Sequence, residues 1–298
     1  MPPADEPAFH TIAIAGLGLI GGSIALAVRE RWPSIRIVGV DQPAILAHAM
    51  GSGAIDRSAA SIDDIGSPDL VVLAAPVAQN LRLLRQLMAR MATVAQPLSG
   101  PRDSTIVVTD VGGTKRDIMD AARELPAGLS FVGGHPIGGA ERGGFGFARP
   151  DLFMGRPWIF TPGPDTNPSA LTRLERLANG LGARPARLAA SDHDRLMAYV
   201  SHLPQLAASA LMSTVGGGAA DGLRLAGRGL VDTTRLASSP ASVWRDIASS
   251  NGDFIGEALD SLIASLRELR RDLQQGDALE RTFQDAGRWR TELMKGRD

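Results

Sequence analysis

The sequence contains no cysteine, which excludes disulfides and thiolate metal sites. Aromatic residues make up only 4% of it, too few for the stacking platforms that hold single-stranded nucleic acid. Excess charge of either sign is also missing. The 31 Lys and Arg residues face 32 Asp and Glu, so no basic surface for nucleic acid or lipid headgroups is expected. No apolar run approaches the roughly 20 residues of a membrane-spanning helix. The opening MPPADEPAFH lacks the basic start and apolar core of a secretory signal. These absences lead us to expect a cytoplasmic protein with neither nucleic-acid nor membrane partners. No pair among His10, His48, His135, His193 and His202 has the HExxH spacing of a zinc protease, and no metal site is expected.

What is present is length and apolar content. The 298 residues, 44% of them hydrophobic, suffice for two domains with a core each. Up to residue 189, strand and helix signals alternate. Short β-branched runs at 10–16, 35–41, 69–76, 105–111, 129–136, 157–162 and 184–189 are separated by helical spacing at 20–32, 43–53, 78–91, 114–126 and 168–182. Repeated strand-helix units predict a mainly parallel sheet covered on both faces. After residue 190 strand signals vanish, and helical patterns occupy 191–215, 221–237, 252–274 and 277–295. The expected architecture is α/β, a sheet domain over 1–189 followed by an all-helical domain over 190–298.

The stretch 16-GLGLIG-21 is G-x-G-x-x-G placed between the first strand and the first helix, and Asp41 ends the next strand about 20 residues further on. In that context it reads as the phosphate-binding turn of a Rossmann-type domain. Gly16 would permit the tight turn, Gly18 the approach of a pyrophosphate, and Gly21 close packing of helix on strand. Leu19 and Ile20 open the helix whose free N–H groups and positive dipole end favour phosphate. Asp41 would accept hydrogen bonds from ribose hydroxyls and repel a 2′-phosphate, which favours NAD over NADP. Pro76, after the third predicted strand, is placed near the cofactor because ligands lie beyond the carboxyl ends of the strands. A glycine turn without a ligand is the plainer alternative.

The stretch 131-FVGGHPIGGAERGG-144 sets His135 among glycines at the end of a later strand of the same sheet. A neutral imidazole on the cofactor edge can take a proton from a hydroxyl while hydride leaves the same carbon. The flanking glycines would let substrate and nicotinamide approach closely. A structural histidine capping the loop is the competing reading.

Taken together, 16-GLGLIGGS-23, 108-VTDVGGTK-115, 132-VGGHPIGGAERGG-144, 152-LFMGRPWIFTP-162, 192-DHDRLMAYVSHLPQ-205 and 230-LVDTTRLASSPASVWRDI-247 resemble the prephenate and arogenate dehydrogenases of tyrosine biosynthesis. The resemblance implies a cyclohexadienol substrate, with a ring hydroxyl and a ring carboxylate, and NAD as hydride acceptor. His135 would take the hydroxyl proton, and carbon dioxide would leave as the ring becomes aromatic. It implies that Arg235 binds a carboxylate through a planar guanidinium. It also places Glu141, His202, Gln205, Gly113 and Thr114 at the substrate. His202 and Trp244 are explained equally well by helix packing. A homodimer built by the helical domain is implied as well.

Three departures from the family pattern fall on substrate recognition. Gly113 stands where many members have serine, with Thr114 beside it; Gln205 stands for the second histidine of SHLPH; and Val231 stands for a lysine four residues before Arg235. Fewer cations tilt the expectation toward arogenate, or toward tolerance of both substrates. Two rival readings are a β-hydroxy acid dehydrogenase and a dinucleotide-binding sensor without turnover. The first usually relies on a lysine in its helical domain, and residues 191–265 contain none.

Overall fold

The computed structural model describes residues 6–93, 105–139 and 142–295. Its centre is an eight-stranded sheet formed by β1 (Thr11–Ala15), β2 (Arg36–Val40), β3 (Arg57–Ala59), β4 (Leu70–Leu73), β5 (Ile106–Asp110), β6 (Leu129–Pro136), β7 (Pro157–Thr161) and β8 (Arg184–Arg187). The spatial order is β3-β2-β1-β4-β5-β6-β7-β8. Its first six strands are all parallel and have the doubly wound order, which reverses direction between β1 and β4 and opens a crevice there.

Period-two alternation in the strands feeds two cores. In TIAIA, Ile12 and Ile14 face one side of the sheet, while Ala13 and Ala15 face the other. The first side is covered by α1 (Leu19–Arg31), α2 (Pro43–Gly51) and α5 (Pro168–Gly180), through Ile24, Val28, Leu46, Leu174 and Leu177. The second is covered by α3 (Val77–Thr93) and α4 (Arg116–Ala121), through Leu84, Leu87 and Ile118. Both faces are therefore dry, as a parallel sheet requires.

Several local expectations change. The strand β3 was not anticipated: three residues at the sheet edge give too short a pattern to read. The helix expected over 114–126 is α4 followed by a 3-10 turn at Ala122–Glu124. The strand β7 runs antiparallel to β6: among the described residues between them there is only a 3-10 turn, Phe145–Phe147, and no α-helix to bring the chain back to the same end. The helical stretch expected over 221–237 is broken into a 3-10 turn (Ala220–Leu225), α8 (Arg228–Thr233) and a second 3-10 turn (Arg235–Ser238). Glycines at 222, 227 and 229 account for the breaks. A further helix, α9, covers Ala241–Ser250.

The helix α6 (Ala190–Met197) passes through a π turn at Ala198–His202 into α7 (Leu203–Ala219). Pro204, in the first turn of α7, has no N–H to give to the preceding turn, which loosens the ladder where the π turn lies. The chain forms two compact units, Met1–Gly252 and Asp253–Asp298. The texture change at residue 190 lies inside the first, where α6 to α9 accompany the sheet. In the second, α10 (Gly252–Arg271) turns into α11 (Asp277–Met294) through Gly276, at φ 90°. Asp272 caps α11 by accepting the N–H of Ala278 at 2.5 Å, and Arg281 pairs with Glu268 at 3.0 Å.

Candidate active site

The glycine turn after β1 is built as its spacing predicts. Gly16 has φ 101°, and a Cβ there would lie 2.5 Å from the carbonyl carbon of Ala74, just past the neighbouring β4. At Gly21 a Cβ would come within 1.9 Å of the Gly16 oxygen. At Gly18, by contrast, nothing lies within 4 Å, so the backbone is open where a phosphate must approach. Leu19 and Ile20 form the first turn of α1, and no side chain caps its N-terminus. Asp41 follows β2 and accepts the N–H of Leu17 at 2.5 Å and of Gln42 at 2.6 Å, one on each oxygen. Each oxygen retains a lone pair for a ribose hydroxyl. A cavity of about 340 Å³ lies beside it, lined by Gly16, Asp41, Gln42, Ser61 and Gln79. Pro76 is exposed at the entry to α3, beyond the carboxyl end of β4. A dinucleotide fits these residues: open backbone for the pyrophosphate, a carboxylate and a cavity for the adenosine end.

His135 lies near the carboxyl end of β6, past the last residue of β5. The glycines before it have a different reason from the expected one. A Cβ at Gly133 would lie 2.2 Å from Thr161 Oγ1, and one at Gly134 would lie 2.6 Å from the Asp110 carbonyl. They are glycine because β6 packs tightly between its neighbours. Beyond His135 the constraint lifts, and Gly139 has nothing within 4 Å of its Cβ position.

Behind His135 lies a buried polar chain. His135 Nδ1 is 2.8 Å from His193 Nε2, and His193 Nδ1 is 2.8 Å from Asp194 Oδ1. Asp194 also accepts the backbone N–H groups of Lys115 at 2.7 Å and Arg116 at 3.0 Å, so α6 caps the start of α4. The Arg116 side chain reaches Asp194 Oδ2 at 3.2 Å and Asn251 Oδ1 at 2.9 Å. On the strand side, Lys115 Nζ is ion-paired with Asp110 and donates to the Gly134 carbonyl at 2.8 Å. Asp110 in turn accepts Gly134 N–H at 3.1 Å.

The other expected substrate residues divide. His202 is buried, with Nδ1 3.3 Å from Asn251 Nδ2 and its ring edge-to-face with Trp244. Gln205 is buried and its N–H groups are engaged, donating to Leu236 O at 2.7 Å and Ser209 Oγ at 3.3 Å. Its Oε1 accepts from Ser239 at 3.1 Å. The amide thus stitches α7 to the turn that carries Arg235, instead of standing free for a ligand. Arg235 itself is exposed at the first position of that turn. The Thr114 hydroxyl is buried and paired with Ser250 at 2.9 Å, so it does not replace the hydroxyl missing at Gly113. Gly113 has room: a Cβ there would meet only Ile247 Cδ1, at 3.8 Å. Glu141 lies outside the described residues.

Sequence reasoning did not single out His193, Asp194, Asp110, Lys115, Arg116 or Asn251. His193 and His135 are 58 positions apart, and no spacing rule links them. The available signal was chemical: three ionisable residues in a row at 192-DHD-194 inside an otherwise amphipathic helix.

Burial sets the charge states. His135 is held well below the usual histidine value, first by desolvation and then by His193, Lys115 and His202 nearby. His202 is lowered to about 4, chiefly by desolvation. Burial opposes ionisation of Asp194, but His193 and the N–H groups of Arg116 and Lys115 hold it below the ordinary carboxylate value. All three shifts make the unfolded chain bind more protons in acid. Stability is therefore full above about pH 6.5, where unfolded histidine is neutral. It falls as pH drops toward the folded value of His202, about 4, and Asp194 adds to the loss below its unfolded value of 3.8. A thermal melt series from pH 7 to 4 is expected to show a steadily falling Tm. A Tm constant over that range would contradict neutral burial of the two histidines.

Residues 24–186 match the family model for the prephenate dehydrogenase nucleotide-binding domain, and residues 189–285 match that for the prephenate dehydrogenase dimerization domain. The prephenate dehydrogenase of Bacillus subtilis (strain 168) is 35% identical over 294 residues, covering 95% of this chain and 76% of that protein. The cyclohexadienyl dehydrogenase of Zymomonas mobilis is 30% identical over 302 residues, covering 97% and 98%. Among solved structures, the prephenate dehydrogenase from A. aeolicus in complex with hydroxyphenyl propionate and NAD+ superposes with a TM-score of 0.82. Its sequence identity is 29%, over 95% of this chain and 98% of that one.

Proposed function

Because the chain belongs to the prephenate dehydrogenase family, we propose that His135 is the general base of an oxidative decarboxylation. The reaction is the NAD-linked conversion of a cyclohexadienol, prephenate or arogenate, to its aromatic product. NAD is the cofactor; when bound it supplies the hydride acceptor. The residues that would hold it are Gly16, Gly18, Leu19, Ile20, Gly21, Asp41 and Pro76. His135 Nε2 takes the proton of the ring hydroxyl, and the ring carboxylate leaves as carbon dioxide. Aromatisation supplies driving force, so the protein has mainly to orient and deprotonate. Arg235 binds a substrate carboxylate, and Gln205 holds the turn that presents it. The observation that carries this reading is the place of His135. It stands past the end of β5 on the cofactor edge, with Nδ1 committed to His193 and, among the described residues, no hydrogen-bond partner at Nε2.

Val231 and Gln205 leave the substrate side less cationic than lysine and histidine would, which suits the ammonium of arogenate. Residues 1–189 serve as the dinucleotide domain and 190–298 as the substrate and dimerisation domain. The homodimer is supported by the match to a dimerization domain and by an exposed apolar face on α11. There Leu279, Phe283, Trp289, Leu293 and Met294 share one side at helical spacing. No helix among the described residues is long and apolar enough to cross a membrane, which is compatible with a cytoplasmic enzyme.

The test is absorbance of reduced cofactor with purified protein, using NAD or NADP against prephenate and arogenate separately. Turnover with NAD and faster turnover of arogenate is the expected result. Bound NAD with no turnover of either substrate would leave the protein a dinucleotide-binding sensor.

A further inference from the structure

The chain of contacts behind His135 determines which of its nitrogens carries the proton. Asp194 is the fixed end. An ionised carboxylate only accepts hydrogen bonds, so the 2.8 Å contact from His193 Nδ1 must be a donated one. A neutral imidazole has one donor and one acceptor, which leaves His193 Nε2 as an acceptor. Among the described residues, the donor within reach of it is His135 Nδ1, at 2.8 Å. Neutral His135 then has its lone pair on Nε2.

We propose that His193 and Asp194 are positioning residues for the proton transfer: together they fix His135 in the Nδ1–H form, with Nε2 ready to accept the substrate proton. This rests on the reading of His135 as the base and adds what makes it one. When Nε2 gains the proton, hydrogen bonding along the same chain offsets part of what burial costs the cation. The Nδ1–H bond to His193 becomes charge-assisted, with the Asp194 carboxylate beyond it. No proton needs to leave the chain for this, and His193 stays fully buried.

The opposite arrangement needs a cationic His193. It would donate to both neighbours and force the His135 proton onto Nε2, where no base would remain. The surroundings oppose that charge. Asp194 is already served by two backbone N–H groups and by the Arg116 guanidinium at 3.2 Å. His193 is itself fully buried, and a further buried cation beside the Arg116 guanidinium on Asp194 would be costly. The hydroxyl that Gly113 cannot provide is also not supplied by Thr114, so among the described residues His193 is the one side chain hydrogen-bonded to His135.

The tautomer is directly observable. In ¹⁵N-imidazole NMR spectra of the whole protein near neutral pH, the resonance lost in His135→Asn is expected to report a proton on Nδ1. His193→Leu is expected to keep the KM for NAD and lower kcat by about 10- to 100-fold, the usual cost of losing an outer-shell partner. His193→Gln presents an oxygen to His135 and an N–H toward Asp194, and is expected to recover part of that loss. A parent protein with the His135 proton on Nε2 would overturn the proposal even if every variant misfolds. A His193→Leu enzyme with parental kcat would overturn it too. Both results differ from failure of the base assignment, which is read from turnover of His135→Asn alone.

Discussion

His135→Asn is expected to bind NAD as the parent does and to turn over at least about 100-fold more slowly, the lower end of what a positioned general base contributes. Asparagine is the informative replacement. Its side-chain N–H can occupy the place of Nδ1 and still donate to His193 Nε2, so the buried chain to Asp194 is kept. What it lacks is the lone pair on the far side of the ring. The cofactor elements, from Gly16 to Asp41, belong to β1, α1 and β2, and two strands, β4 and β5, separate β1 from the β6 that carries residue 135. Titration of NAD by fluorescence, beside kcat at saturating substrate, separates the two effects. Unchanged turnover would remove His135 from the chemistry. A parallel loss of NAD affinity would show that the variant has disturbed the sheet edge instead of the proton transfer.

Much of this arrangement was legible in the sequence because it depends on local rules. The turn at 16–21 is set by three steric demands at fixed spacing, and the structure meets each: a positive φ at Gly16, open space at Gly18, a carbonyl in contact at Gly21. The strands could be read as continuous apolar runs because the sheet is buried on both faces. The glycines beside His135 were visible but their cause was not. The neighbours that exclude a Cβ there, Thr161 and Asp110, come from other strands. The same holds for the buried chain. His193, Asp194 and Asn251 meet Lys115 and His135 only after α6 and α9 dock on the sheet unit, and periodicity carries no information about which polar side chains face inward together. Gln205 has partners that its motif does not reveal. A polar residue in a matching motif was assigned to the ligand, yet both ends of its amide are used within the fold.

Lys115→Met is expected to be the most destabilising single change near the site, by about 3–5 kcal/mol, because it strands a buried charge. The Lys115 and Asp110 side chains are essentially inaccessible to water, at 0% and 1% exposure. Burial lowers the Lys115 pKa, with Asp110 opposing that shift. Methionine fills the lysine volume but leaves the Asp110 carboxyl buried without its ion-pair partner. It also removes the donor to the Gly134 carbonyl at 2.8 Å. Adding Asp110→Asn to Lys115→Met should restore part of the loss. Asparagine removes the stranded charge, and its single amide oxygen can still accept one of the two N–H groups, those of Gly112 and Gly134, which reach separate oxygens of Asp110 at 2.8 and 3.1 Å. The double variant should therefore be more stable than Lys115→Met alone, a departure from additivity that only a direct pairing produces. Urea titrations of the parent, both single variants and the double, at one protein concentration, would measure it. Strict additivity would mean that the two charges are stabilised separately. The predicted recovery would mean that the pair clamps Gly134 from both sides and so fixes the strand end on which His135 stands.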